Sequence, residues 1–220
     1  MPPSSRAPGP GRTAIEGSGG PKPTRTCIFD GDVAGLARSH PYTHARADEA
    51  ARYVDFRAEP QRIRTALEDF VPWGAHAAVD RFYTLLEALN GPDSQLETND
   101  CAFSAPEADP AEPPVRRFGC SGRVMVLFRD LPRNRSAAAW DTFTEALHIT
   151  LSGVDPRFEL GVIGTTRVPV HFRALPPNAR DGHQVMISFW AWGGTEAGCM
   201  DNLGRLMTHL GGALRGIGGR

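Results

Sequence analysis

Lysine is almost missing from this 220-residue chain: it occurs once, at Lys22, and arginine carries the remaining positive charge. Genome base composition produces such a bias, so it excludes no function. Other absences exclude more. No apolar run approaches the ~20 residues needed to cross a bilayer, and the N-terminus has no continuous hydrophobic stretch of the secretory kind. The four cysteines, Cys27, Cys101, Cys120 and Cys199, contain no C-x-x-C pair, so neither a disulfide framework nor a zinc site is expected, and reduced thiols in the cytoplasm are. A pI of about 6.7 speaks against a nucleic-acid-binding domain. No internal repeat is visible, and nothing in the sequence asks for a cofactor or a metal.

The net charge of −1 conceals an asymmetry. Residues 47–115 hold 5 arginines against 14 acids, whereas residues 116–220 hold 13 arginines against 8 acids. Opposite halves attract one another within one fold; the functional alternative is a charged face that binds a partner.

Periodicity is clearest at the C-terminal end. Gln184–Trp192 alternates Val185, Ile187 and Phe189 with Met186, Ser188, Trp190 and Trp192, the pattern of a strand. After Gly193-Gly194, with Thr195 as N-cap, Met200, Leu203, Met207, Leu210 and Leu214 recur at helical spacing. Upstream, Ile63, Leu67 and Phe70 suggest a short helix. Val79, Phe82, Tyr83, Leu86 and Leu89 mark a second, and Trp140, Phe143, Leu147 and Leu151, begun by Ser136, a third. Gln95–Phe103 reads as a strand, Arg123–Arg129 as a central one, and Phe158–Ile163 with Arg167–Arg173 as a hairpin turning at Gly164-Thr-Thr. Pro169 points to an edge. Pro-, Gly- and Ser-rich residues 1–54 read as a poorly ordered extension, and 55–217 as a single α+β domain. The expected architecture is a two-layer sandwich, a mainly antiparallel or mixed sheet of about five strands with helices packed on it.

Chemistry is sparse. Glu97-Thr-Asn-Asp-Cys101 is the densest polar cluster on an expected strand. In a regular strand Glu97, Asn99 and Cys101 would share one face, with Thr98 and Asp100 on the other. Its carboxylates could act as a general base or cation ligand, or Asn99-Asp100 could satisfy the backbone at a bulge. Gly119-Cys-Ser-Gly122 precedes a strand, unlike a nucleophile elbow, which follows one. Cys120 with His171 or His183 and Asp100 would make a thiol enzyme, and a buried inert thiol is the other reading. Gly161–Arg167 lacks the lysine of a phosphate loop. His40 and His44 have metal-like spacing inside a segment without a folding pattern. Arg167, His171 and Arg173 form one face, and Trp190 and Trp192 could lie on a neighbouring strand, an arginine–tryptophan composition typical of interface hot spots.

These features favour a non-catalytic cytoplasmic protein-binding domain, with an immunity or antitoxin protein as one concrete version. The candidate contact residues are Asp80, Glu87, Asp93, Glu97 and Asp100 on the acidic half, and Arg167, His171 and Arg173 on the basic half. The alternative is a small hydrolase or transferase using Cys120/His171 or Glu97/Asp100.

Overall fold

The computed structural model describes residues 25–29, 38–39, 55–66, 76–155, 157–172, 178 and 181–218, with the side chains of 25–29, 38–39 and 171 excepted. Its strands are β1 (Arg25–Phe29), β2 (Arg38–Ser39), β3 (Leu96–Phe103), β4 (Glu107–Ala108), β5 (Phe118–Phe128), β6 (Gly161–His171) and β7 (Asp181–Gly193). The helices are α1 (Ile63–Ala66), α2 (Ala77–Asn90), α3 (Ala137–Val154) and α4 (Glu196–Gly218). One mixed sheet runs in the order β1-β6-β7-β5-β3, with β2 beside β6 and β4 beside β5. β3, β5, β7 and β6 pair antiparallel, and the two N-terminal strands run parallel to β6. The α+β sandwich read from the sequence is therefore the fold.

The helices form where their sequences direct them. Ser136 Oγ accepts from Ala139 N at 3.2 Å and Thr195 Oγ1 from Gly198 N at 3.0 Å, each capping the helix that follows. α2, α3 and α4 pack on one face of the sheet. Val185, Ile187 and Phe189 of β7 meet Met200, Leu203, Met207 and Leu210 of α4 there, all fully enclosed. Each such side chain contributes about 1.5–3 kcal/mol of burial. Gly193 is required at that junction. A Cβ on it would lie 2.3 Å from the backbone nitrogen of Cys199, so the first turn of α4 rests directly on the strand.

Two strand expectations need correction. Phe158–Ile163 and Arg167–Arg173 do not make a hairpin: Gly161–His171 is one continuous strand, and Gly164-Thr-Thr passes straight through it. Gly161 is there for space, since a Cβ would collide with Leu206 and Phe158. Nor is β6 an edge strand over its whole length. β1 accompanies it to Thr166 and β2 rejoins at Val170. Pro169, which has no N–H to offer, falls in the interval that no described strand covers on that side. Of the expected 1–54 extension, the described pieces are these two strands. The expected helix beyond Ala66, with Leu67 and Phe70, and the His40/His44 pair lie outside the described residues.

Candidate functional site

The three long helices cover one face of the sheet, and the chemistry-bearing side chains gather on the other. Alternation along β7 places Gln184, Met186, Ser188, Trp190 and Trp192 on this second face. The register brings Ser121 opposite Trp190, Arg123 opposite Ser188 and Met125 opposite Met186. One end is apolar, with Leu127, Val170 and Phe172 packed under Leu131. The other end opens into a cavity of about 300 Å³ lined by Trp190, Trp192, Ser104, Ser121 and Glu107, among others. There Ser121 N donates to Ser104 Oγ at 2.9 Å, with the two hydroxyl oxygens 3.4 Å apart. Arg116 lies over the Trp192 ring, 5.5 Å from its centre.

β3 reaches this face through a bulge. The register slips between Thr98 and Asp100, so Asn99 is an extra residue. The strand is thus not regular, and the expected division of its side chains is corrected. Cys101 turns to the helix side with Thr98, and Asp100 joins Glu97 on the opposite side. The slip is held from both flanks. Asn90, buried at the end of α2, donates to Thr98 Oγ1 at 2.9 Å and accepts from Thr98 N at 3.1 Å. Asn99 donates to Gln184 Oε1 at 2.5 Å. Gln184 is fully enclosed, and its Nε2 has no hydrogen-bond partner among the described residues.

Both carboxylates are held by arginines. Arg57 Nη1 donates to Glu97 Oε2 at 3.1 Å, with Glu97 only 1% exposed, and Arg123 Nη2 donates to Asp100 Oδ2 at 3.1 Å. Arg64 of α1 bridges two carboxylates of α2, Asp80 at 2.6 Å and Glu87 at 2.6 Å. Hydrogen bonds to Glu87 and then Asp80 push its pKa further above the ordinary arginine value. Asp93 stands at the rim of a groove of about 280 Å³ between the ends of α2 and α4, lined by Leu85, Leu89, Leu214 and Arg215 among others.

Trp190 and Trp192 do lie on the strand next to Arg167, but not on the same face. Arg167 lies on the helix side and donates to Asp141 of α3 at 3.0 Å, whereas Trp190 and Trp192 are on the opposite side. The side chain of His171 and the whole of Arg173 lie outside the described residues. The thiol constellation is not assembled either. Cys120 pairs with Ala191, and His171 with Asp181. Ten residues of β7 separate those positions, about 33 Å at strand spacing. The Cys120 thiol faces the helices and contacts Cys199 Sγ at 3.3 Å, while Asp100 is on the other face. Among the described residues no group of three or more His, Cys, Asp or Glu is arranged to hold a metal, and no helix is long and apolar enough to cross a membrane.

Sequence reasoning missed Arg57, Arg64 and Arg123 as carboxylate partners and Ser104 with Ser121 as neighbours of the tryptophans. Alternation along Phe118–Phe128, had that strand been read at its full length, would have put Ser121 and Arg123 on one face. Compared with protein-family models, curated proteins and solved structures, the chain matches none.

Proposed function

We propose that this protein is a non-catalytic cytoplasmic binding domain that recognises a protein partner with the sheet face opposite α2, α3 and α4. The observation that carries this reading is the Trp190/Trp192 pair, set beside Ser104, Ser121 and Glu107 around a cavity and bordered by Arg123 and Met186. Tryptophan and arginine are the side chains over-represented at energetic centres of interfaces, because each combines a large apolar surface with a directed polar group. The carboxylates of α2 are the rival surface. Asp80 and Glu87 are already engaged by Arg64, which lowers their value to a basic partner. An immunity or antitoxin protein, covering the working surface of another protein, is the concrete version of this function, supported by the domain size and the acidic 47–115 segment.

A carboxylate enzyme is the second reading, favoured by the bulge that sets Glu97 and Asp100 on one face. An arginine partner already engages one oxygen of each carboxylate, which weighs against that reading.

The test is capture of a partner from native lysate by the full chain, followed by kinetics with the purified pair. Trp190→Ala should weaken binding at least ~30-fold, the loss of ~2 kcal/mol typical of a hot spot. Glu87→Lys with Asp93→Lys should leave affinity within a few-fold. The opposite ranking would move the interface to α2 and reject the tryptophan face.

A further inference from the structure

Cys120 and Cys199 are 79 residues apart in sequence, yet their sulfurs lie 3.3 Å from one another. Each is fixed by the architecture. Cys120 sits within β5, paired with Ala191 of β7. Cys199 sits in the first turn of α4, which the missing side chain of Gly193 lets settle onto β7. Its sulfur also lies 3.3 Å from the Ala191 carbonyl oxygen. The pair is enclosed, with Cys120 4% and Cys199 0% exposed. A disulfide has sulfurs about 2.05 Å apart, so closure requires only ~1.2 Å of sulfur movement, within reach of small side-chain rotations.

The two thiols are not equivalent. The hydrogen bond between them holds Cys199 below the ordinary thiol value despite burial, and the same bond raises Cys120. The N-terminal end of α4 adds a favourable dipole beside Cys199. When one proton leaves, the charge rests on Cys199 and the proton on Cys120. Cys101 is different: burial, followed by the charge of Asp100, pushes its thiol up to about 12, and it stays protonated.

We propose that Cys120 and Cys199 are a modification site, an oxidisable dithiol that a peroxide closes into a disulfide joining β5 to α4. The Cys199 thiolate attacks one peroxide oxygen, breaking the O–O bond. It becomes a sulfenic acid, and the departing hydroxide takes a proton from solvent to leave as water. The Cys120 sulfur then attacks the Cys199 sulfur, forming the S–S bond and breaking the S–OH bond. The expelled hydroxide takes the Cys120 proton and leaves as a second water. Two thiols are oxidised by two electrons, and one peroxide is reduced to two waters. Peroxide is close to water in size, and it reaches the enclosed pair when the first turn of α4 opens locally from β7. The bond forms immediately behind Trp190 and Trp192, because Ala191 lies between them in sequence.

The test treats the reduced full-length protein with hydrogen peroxide, then denatures it in an alkylating agent and maps the peptides by mass. The expected result is a peptide pair joined through Cys120 and Cys199, lighter by two hydrogen atoms than the reduced pair and separated again by a dithiol reductant. Cys199→Ser should abolish it, and Cys101→Ser should leave its yield unchanged. Full alkylation of Cys120 and Cys199 after peroxide would overturn the proposal, as would cross-links made to Cys27 or Cys101 instead. The wild-type peptide map decides between these outcomes even if a variant fails to fold.

Discussion

Replacing Asn90 by alanine tests whether the bulge in β3 is held from α2. The Asn90 side chain is 3% exposed, and its amide donates to Leu86 O at 2.8 Å and to Thr98 Oγ1 at 2.9 Å while accepting from Thr98 N at 3.1 Å. Each such bond is worth about 1 kcal/mol net, and a buried N–H stranded without a partner costs about 1–3 kcal/mol. Thr98 N is the group stranded by Asn90→Ala, so the expected loss is about 2–4 kcal/mol. For a domain of this size that lowers the thermal midpoint by about 5–15 °C. Thr98→Val removes the hydroxyl bonds and leaves one N–H of the buried Asn90 amide without its acceptor, so it should cost about 1–3 kcal/mol. Since the two side chains share a bond, the double variant should lose about 1 kcal/mol less than the sum of the singles. Urea unfolding of the full chain, followed by tryptophan fluorescence and circular dichroism, measures all three. A loss below ~0.5 kcal/mol for Asn90→Ala, or strict additivity, would refute the staple. It would also remove the reason given for Glu97 and Asp100 sharing a face.

Leu210→Ala on α4 should cost about 2–5 kcal/mol in the same assay, because the side chain is fully enclosed between helix and sheet. Arg64→Ala should cost less than ~1 kcal/mol despite its two carboxylate partners, since all three side chains are substantially exposed. His209, pulled below its ordinary value of 6.5 mainly by burial and secondarily by Arg205, with Asp155 opposing, binds its proton less readily folded than unfolded. Stability should therefore fall as pH drops through and below 6.5, and His209→Gln should flatten that slope in unfolding curves taken at several pH values. Deleting residues 1–54 should leave cooperative thermal unfolding intact, because the core among the described residues is built from Ile63 onward. Loss of cooperativity would place the N-terminal strands among the structural essentials.

The parts legible in the sequence were those with a strong period and a local stop signal. α2, α3 and α4 have the expected buried stripes, and β7 has the expected two faces. What failed depended on distant partners. Gly161 and Gly164-Thr-Thr resemble a turn, but glycine serves equally where another chain approaches closely, and Leu206 is 45 positions away. The face of Arg167 could not be placed against the tryptophans without the β6–β7 register, which sets Val168, not Arg167, opposite Gln184. One extra residue at Asn99 inverted the second half of β3. The Cys120–Cys199 contact has no local signature at all.

The strand order also bears on how the chain folds as it leaves the ribosome. β5 and β6 never touch as neighbours; each is zipped to β7, which lies in the middle of the sheet yet is translated after both. Until residues 181–193 emerge, the nascent chain can assemble only two separate halves, β3 with β5 and β1 with β6, each with an unpaired inner edge. α3 tethers these halves while they wait. Closure is thus postponed until β7 has been made, and α4 then covers the seam. Such late, long-range pairing makes for slow folding and leaves open edges accessible to other chains in the interval. Ribosome-stalled chains ending before Asp181 should therefore be protease-sensitive, and those with β7 and α4 fully outside the exit tunnel should be resistant.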